Sequence, residues 1–110
     1  MPKFITTGRL TKSGADGLMA KPEDRMPALN ALANAAGAKI LAYYLTTGRN
    51  DFALITEAPN MESAVSAIMV AVTSGSVADV ETVQAWTSAE FAGIAKSAGD
   101  VVGNYQAPGK

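Results

Sequence analysis

Two β-type runs, Lys39 to Thr46 and Phe52 to Ala58, constrain this chain more than any other feature, because they are apolar at odd and even positions alike. In the first, Ile40, Ala42 and Tyr44 fall on one side of an extended chain and Leu41, Tyr43 and Leu45 on the other. In the second, Phe52 and Leu54 oppose Ala53 and Ile55. An antiparallel sheet with one wet face alternates apolar and polar residues, so strands of this kind are expected to be covered on both faces. The link Thr47-Gly48-Arg49-Asn50-Asp51, whose Gly and Asn tolerate positive φ, joins them as a hairpin. Any fold built around this hairpin needs a layer for each of its faces.

The flanking segments supply one of those layers. Lys3 to Leu10, short and rich in β-branched and aromatic residues, predicts strand one, and the loop signals Lys12-Ser13-Gly14-Ala15-Asp16-Gly17 follow it. Pro22-Glu23-Asp24 reads as an entry turn, and a helix from Pro27 carries Leu29, Leu32, Ala33 and Ala36 on one face until Gly37 stops it. Asn60 is placed to cap a second helix, in which Met61, Val65, Ile68, Met69 and Val72 share one face and predict the buried stripe, with Gly75 as the stop. Ser76 to Trp86 predicts strand four. Thr87-Ser88-Ala89-Glu90 then matches a capping box at the head of a short third helix to about Ala98.

The resulting order, βαββαβ plus a terminal helix, is the α+β, ferredoxin-like plan: a four-stranded antiparallel sheet with helices on one face. Residues 1–98 form one domain on this reading, and 99–110 a loose C-terminal tail. Helices cover only one face of the sheet, and another copy of the chain is the economical cover for the other. A homo-oligomer, dimer or higher, with sheets paired face to face is the expected partner state.

Composition narrows the chemistry. The 110 residues include no cysteine and no histidine, which removes disulfides, thiolate nucleophiles, Cys/His zinc sites, haem-ligating imidazoles and Ser-His-Asp triads. No cofactor and no metal are expected. Nine basic against ten acidic side chains, without a basic run, argue against a nucleic-acid partner. No stretch approaches the roughly 20 apolar residues of a membrane span, and a cytoplasmic setting is expected.

The segments Gly37-Ala38-Lys39, Tyr43 to Thr46, Gly48-Arg49-Asn50-Asp51, Glu57-Ala58-Pro59-Asn60, Gly75 and Glu81-Thr82 together resemble the GYD domain family, small bacterial proteins named for a Gly-x-Tyr-Asp signature. The resemblance spans about Lys3 to Ile94. Gly48 and Asp51 match the signature, whereas Asn50 stands where the family usually has its tyrosine. The resemblance implies the dimeric α/β-barrel type of ferredoxin-like fold, in which two sheets pack face to face, and it implies no established activity.

Among the polar residues, Glu57 is the candidate catalytic group. It closes a strand that should be central, where partial desolvation would suit a carboxylate for proton transfer; the bland alternative is a carboxylate accommodated by water or helix amides. Arg9, Tyr43, Tyr44 and Thr82 are candidate neighbours. Arg49 and Asp51 are a candidate clamp for a carboxylate or phosphate, or else ordinary turn residues. Tyr43, Tyr44 and Trp86 would line a pocket or pack in core and interface. The methionines read as gap fillers. These features point to a non-catalytic small-molecule-binding or assembly module. The alternative is a cofactor-independent, monooxygenase- or isomerase-like enzyme with one carboxylate acid/base in a pocket between paired sheets.

Overall fold

A computed structural model describes all 110 residues. Its elements are β1 (Lys3–Leu10), α1 (Lys12–Ala20), α2 (Met26–Ala35), β2 (Lys39–Leu45), β3 (Phe52–Glu57), α3 (Met61–Thr73), β4 (Val77–Ala85) and α4 (Ser88–Val101), followed by a 3₁₀ turn at Val102–Asn104. The four strands form one antiparallel sheet in the order β2-β3-β1-β4, so the fold is α+β and ferredoxin-like. The local signals act where the residues stand. Asn60 accepts the Ser63 amide at 2.9 Å to open α3, Thr87 and Glu90 close a reciprocal capping box on α4, and Gly37 and Gly75 take positive φ just beyond α2 and α3.

Residues directly opposite across a ladder share a face, which makes the two faces legible from the register. Phe4, Thr6 and Gly8 of β1 sit opposite Thr56, Leu54 and Phe52 of β3, and this side carries the helices. Phe4 packs there with Ala33 of α2, Ala38, Ala58 and Ala64 of α3, with Ile40 against the cluster. The reverse side presents Ile5, Thr7, Ala53, Ile55, Ala42, Tyr44 and Val83. No element of the chain covers it, and Tyr44 and Val83 are 62% and 44% exposed.

Four expectations are corrected. Lys12 to Gly17 is helix rather than loop: Thr11 caps α1 by accepting the Gly14 amide at 3.1 Å, and its own N–H is held by the Ser76 carbonyl at 3.0 Å. In β2 the register slips between Ile40 and Ala42, so Ile40, Tyr43 and Leu45 share the helix face while Ala42 and Tyr44 share the open one. Strict alternation misses this because a bulge adds one residue and inverts the parity beyond it. In α3 the sheet-facing side is Ala64, Ala67 and Ala71, small residues that let the helix approach the sheet closely; of the expected stripe only Ile68 is half-buried, whereas Met61, Val65, Met69 and Val72 form an exposed shoulder. Finally, α4 runs to Val101 instead of ending near Ala98.

The terminal helix also sets the outline of the molecule. None of its residues is buried, and its principal contact is with the 3₁₀ turn that follows it. The radius of gyration is 17.9 Å and the extents are 61 × 31 × 22 Å, against about 13 Å for a compact chain of this length.

Candidate ligand cleft between α1 and the sheet

The main concavity lies on the helix side of the sheet, under α1 and the segment joining it to α2, with a volume of about 290 Å³. Leu10 and Val77, cross-strand partners on β1 and β4, help form its apolar lining together with Leu18 of α1. Gly14 lets α1 come down onto the start of β4: a Cβ there would lie 2.2 Å from the Ser76 carbonyl oxygen. The Thr11 hydroxyl adds a second clip by donating to the Gly75 carbonyl at 2.6 Å.

Tyr43 enters the same cleft from β2, its ring 6.3 Å from that of Phe52. Burial pushes its phenol above the ordinary 10.0, with the charge of Arg25 pulling weakly the other way. The folded chain therefore holds this proton more tightly than the unfolded one, a contribution present below about pH 10 and lost as pH rises through the shifted value. At the rim, Glu23 accepts from Arg25 at 2.8 Å and pairs with Lys21 at 3.6 Å. The Arg25 hydrogen bond first, and the Lys21 charge second, hold its carboxyl below the usual range. Two cations and one anion leave this rim with one surplus positive charge.

The residues singled out in the sequence do not converge here. Only Tyr43 lines the cleft. Glu57 ends β3 on the open face, opposite Lys3 on one neighbouring strand and Lys39 on the other, so it lies across the sheet from Tyr43. Tyr44 shares that open face but pairs with Ala53, four positions along β3 from Glu57. Arg9 is exposed and reaches Asp79 at 3.8 Å. Thr82 points to the helix side, where its hydroxyl meets that of Thr6 at 2.9 Å. Trp86 lies beyond β4, edge-on to Phe91 with centroids 6.2 Å apart, and Arg49 is exposed in the β2–β3 turn.

Asp51 has a structural task. Its carboxylate accepts the Leu10 amide at 2.8 Å, its N–H donates to the Gly8 carbonyl at 2.8 Å, and its carbonyl takes the Thr46 amide at 2.8 Å, which ties the β2–β3 turn to the end of β1. Asp51→Ala should therefore cost about 2 kcal/mol, the worth of a partly buried hydrogen bond to a charged group. A urea titration reads it as a lowered midpoint; an unchanged midpoint would remove this role.

Sequence reasoning missed Gly14 and Leu18 because it took α1 for a loop, and Lys21 and Arg25 because they sit in the segment that α1 brings over the cleft. The available signal was Thr11 as an N-cap, with its partner three residues on. No three Asp or Glu side chains converge to form a metal-ligand group, and no helix is long and apolar enough to cross a membrane.

The family model of the GYD domain matches residues 4–95. A Thermus thermophilus protein of known crystal structure superposes with a TM-score of 0.51 at 17% identity, over 80% of this chain and 96% of that one, a likeness of fold alone. A crystal structure described as an antibiotic biosynthesis monooxygenase gives a TM-score of 0.46 at 16% identity, over 79% of this chain and 98% of that one. No curated protein matches the sequence.

Proposed function

This chain belongs to the GYD domain family, and from that premise we propose that it is a small-molecule-binding module that works as a homo-oligomer. The observation that carries the binding function is the cleft of about 290 Å³ with a partly apolar lining, a half-buried phenol and a rim of Lys21, Glu23 and Arg25. Small-ligand sites combine an apolar concavity with a few placed polar groups in this way. The chemistry favours a compact, largely apolar molecule with one anionic or hydrogen-bond-accepting group, the apolar part over Leu10 and Val77 and the polar end toward Arg25 and the Tyr43 hydroxyl. Binding is favoured over turnover because Glu23, the only carboxylate at the cleft, is engaged by two cations, and Glu57 lies on the other face.

Small aromatic carboxylates, tested against their neutral amides by thermal shift and by the ultraviolet absorbance of Tyr43, should bind preferentially. The double change Lys21→Ala with Arg25→Ala should weaken carboxylate binding by about tenfold or more, the loss of one charge-assisted contact. Equal response to acid and amide, or no response to either, would sink the reading.

The oligomeric half rests on the apolar open face of the sheet. Light scattering at micromolar concentration should give a multiple of 11.3 kDa. Val83→Lys should drive the protein toward monomer without disturbing the protomer, since Val83 is already 44% exposed in a single chain. A wild-type monomer at that concentration would overturn the pairing and leave the cleft untouched.

A further inference from the structure

The terminal helix α4 is an anomaly that the binding reading does not absorb. It is helical by its own sequence: Thr87 accepts the Glu90 amide at 3.1 Å, and the Glu90 carboxylate accepts the Thr87 amide at 2.8 Å. Yet an isolated 14-residue helix with two internal glycines is marginal in water, because little beyond propensity supports it. Phe91, Ile94, Ala95, Ala98, Val101 and Val102 recur at the spacing of one helix face, with Lys96 and Asp100 opposite. That face meets no body of its own chain. Phe91, Ile94, Val101 and Val102 are 52%, 40%, 59% and 71% exposed.

Two quantities indicate what covers it. The chain exposes 7465 Å², whereas a folded monomer of this mass exposes about 5,700 Å². The surplus, some 1,700 Å² per chain, is about twice what each partner gives to a standard interface and within the range of obligate homodimers. The chain also carries a second unpartnered apolar stripe of matching kind, the α3 shoulder of Met61, Val65, Met69 and Val72, of which Met69 is 61% exposed. Neither stripe bears a basic face. Lys96 is the only cation on α4, which argues against an anionic membrane or a nucleic acid as the occupant.

We propose that α4 is an exchanged arm, its apolar face seated on the α3 shoulder of a second copy of this chain. Methionine and valine on the shoulder suit the task, since flexible thioethers fill the gaps around an incoming aromatic ring. The arm goes beyond the binding reading and is independent of sheet pairing, because it uses the helix layer.

The absence of cysteine makes a direct test clean. The full chain carrying Phe91→Cys together with Met69→Cys, mildly oxidised, should give a covalent dimer in which mass spectrometry finds the peptide around position 91 bonded to the peptide around position 69. Each single substitution alone should not give that peptide pair. As a second measurement, Phe91→Asp with Ile94→Asp should weaken self-association by about tenfold or more in sedimentation experiments, the loss of two apolar anchors, and should leave carboxylate binding in the cleft unchanged. A bond formed only within one chain, or no such bond with association undiminished by the Asp pair, would overturn the arm. Val83→Lys separately reports the sheet face, so either interface can fail without the other.

Discussion

Truncating Phe4 to alanine should lower the stability of the fold by about 3–5 kcal/mol, the range for removing a buried aromatic side chain. The reason lies in the make-up of the core. Phe4 is 1% exposed, and the four residues buried with it, Ala33, Ala38, Ala58 and Ala64, are all alanines. Ile40, packed against the cluster, is the one larger side chain beside it, and alanines cannot extend into the space, so a cavity term adds to the lost transfer energy. At roughly 4 °C per kcal/mol for a chain of this size, the melting temperature should fall by about 12–20 °C. A fall of less than about 4 °C, measured at fixed protein concentration, would mean that the core is not organised around this ring.

Gly14→Ala and Gly17→Ala should move stability in opposite directions, although they lie three residues apart in the same helix. Alanine is favoured over glycine in a helix interior by about 1 kcal/mol, and a Cβ on Gly17 meets nothing within 4 Å, so that change should stabilise by up to this amount. On Gly14 the same atom would lie 2.2 Å from the Ser76 carbonyl oxygen and close to its Cα as well. Backbone cannot swing aside as a flexible side chain would, and overpacking of this kind costs about 3 kcal/mol, well above the propensity gain. The strain is relieved if α1 lifts off β4, which opens the cleft. Gly14→Ala should therefore raise hydrogen exchange throughout α1 and abolish carboxylate binding, while Gly17→Ala lowers exchange in α1. Two variants of like sign would discard this account of how α1 is held.

Capping, stop and hairpin signals acted as the sequence indicates because they are completed within a few residues. Asn60 finds Ser63, Thr87 finds Glu90, and Gly37 and Gly75 adopt positive φ without help from elsewhere. The apolar alternation of β3 likewise places Phe52 and Leu54 opposite Ala53 and Ile55, and the strand order follows from the order of the elements. Of the candidate site, only Tyr43 was legible. A buried or half-buried tyrosine can be suspected from its neighbours in sequence, but its companions in the cleft arrive from α1 and from the α1–α2 segment. Glu57 and Tyr43 lie fourteen positions apart on paired strands, and which face each occupies depends on a bulge that no alternation pattern announces.

The sequence by itself determined the α+β class, the βαββαβ order, the caps of α3 and α4, and the two-sided apolar character of the hairpin strands, since each depends on propensity or periodicity within a short window. Only the tertiary structure decided that α1 lies down on the start of β4, for the clip that holds it runs from Thr11 to Gly75, 64 positions away. It decided which of two apolar stripes on α3 faces the sheet, because the close approach selects alanines over the larger side chains that a hydrophobicity pattern prefers. It also decided that α4 stands clear of its own body. Local sequence states that a segment is helical; what the helix packs against depends on surfaces that exist only once the rest of the chain has folded.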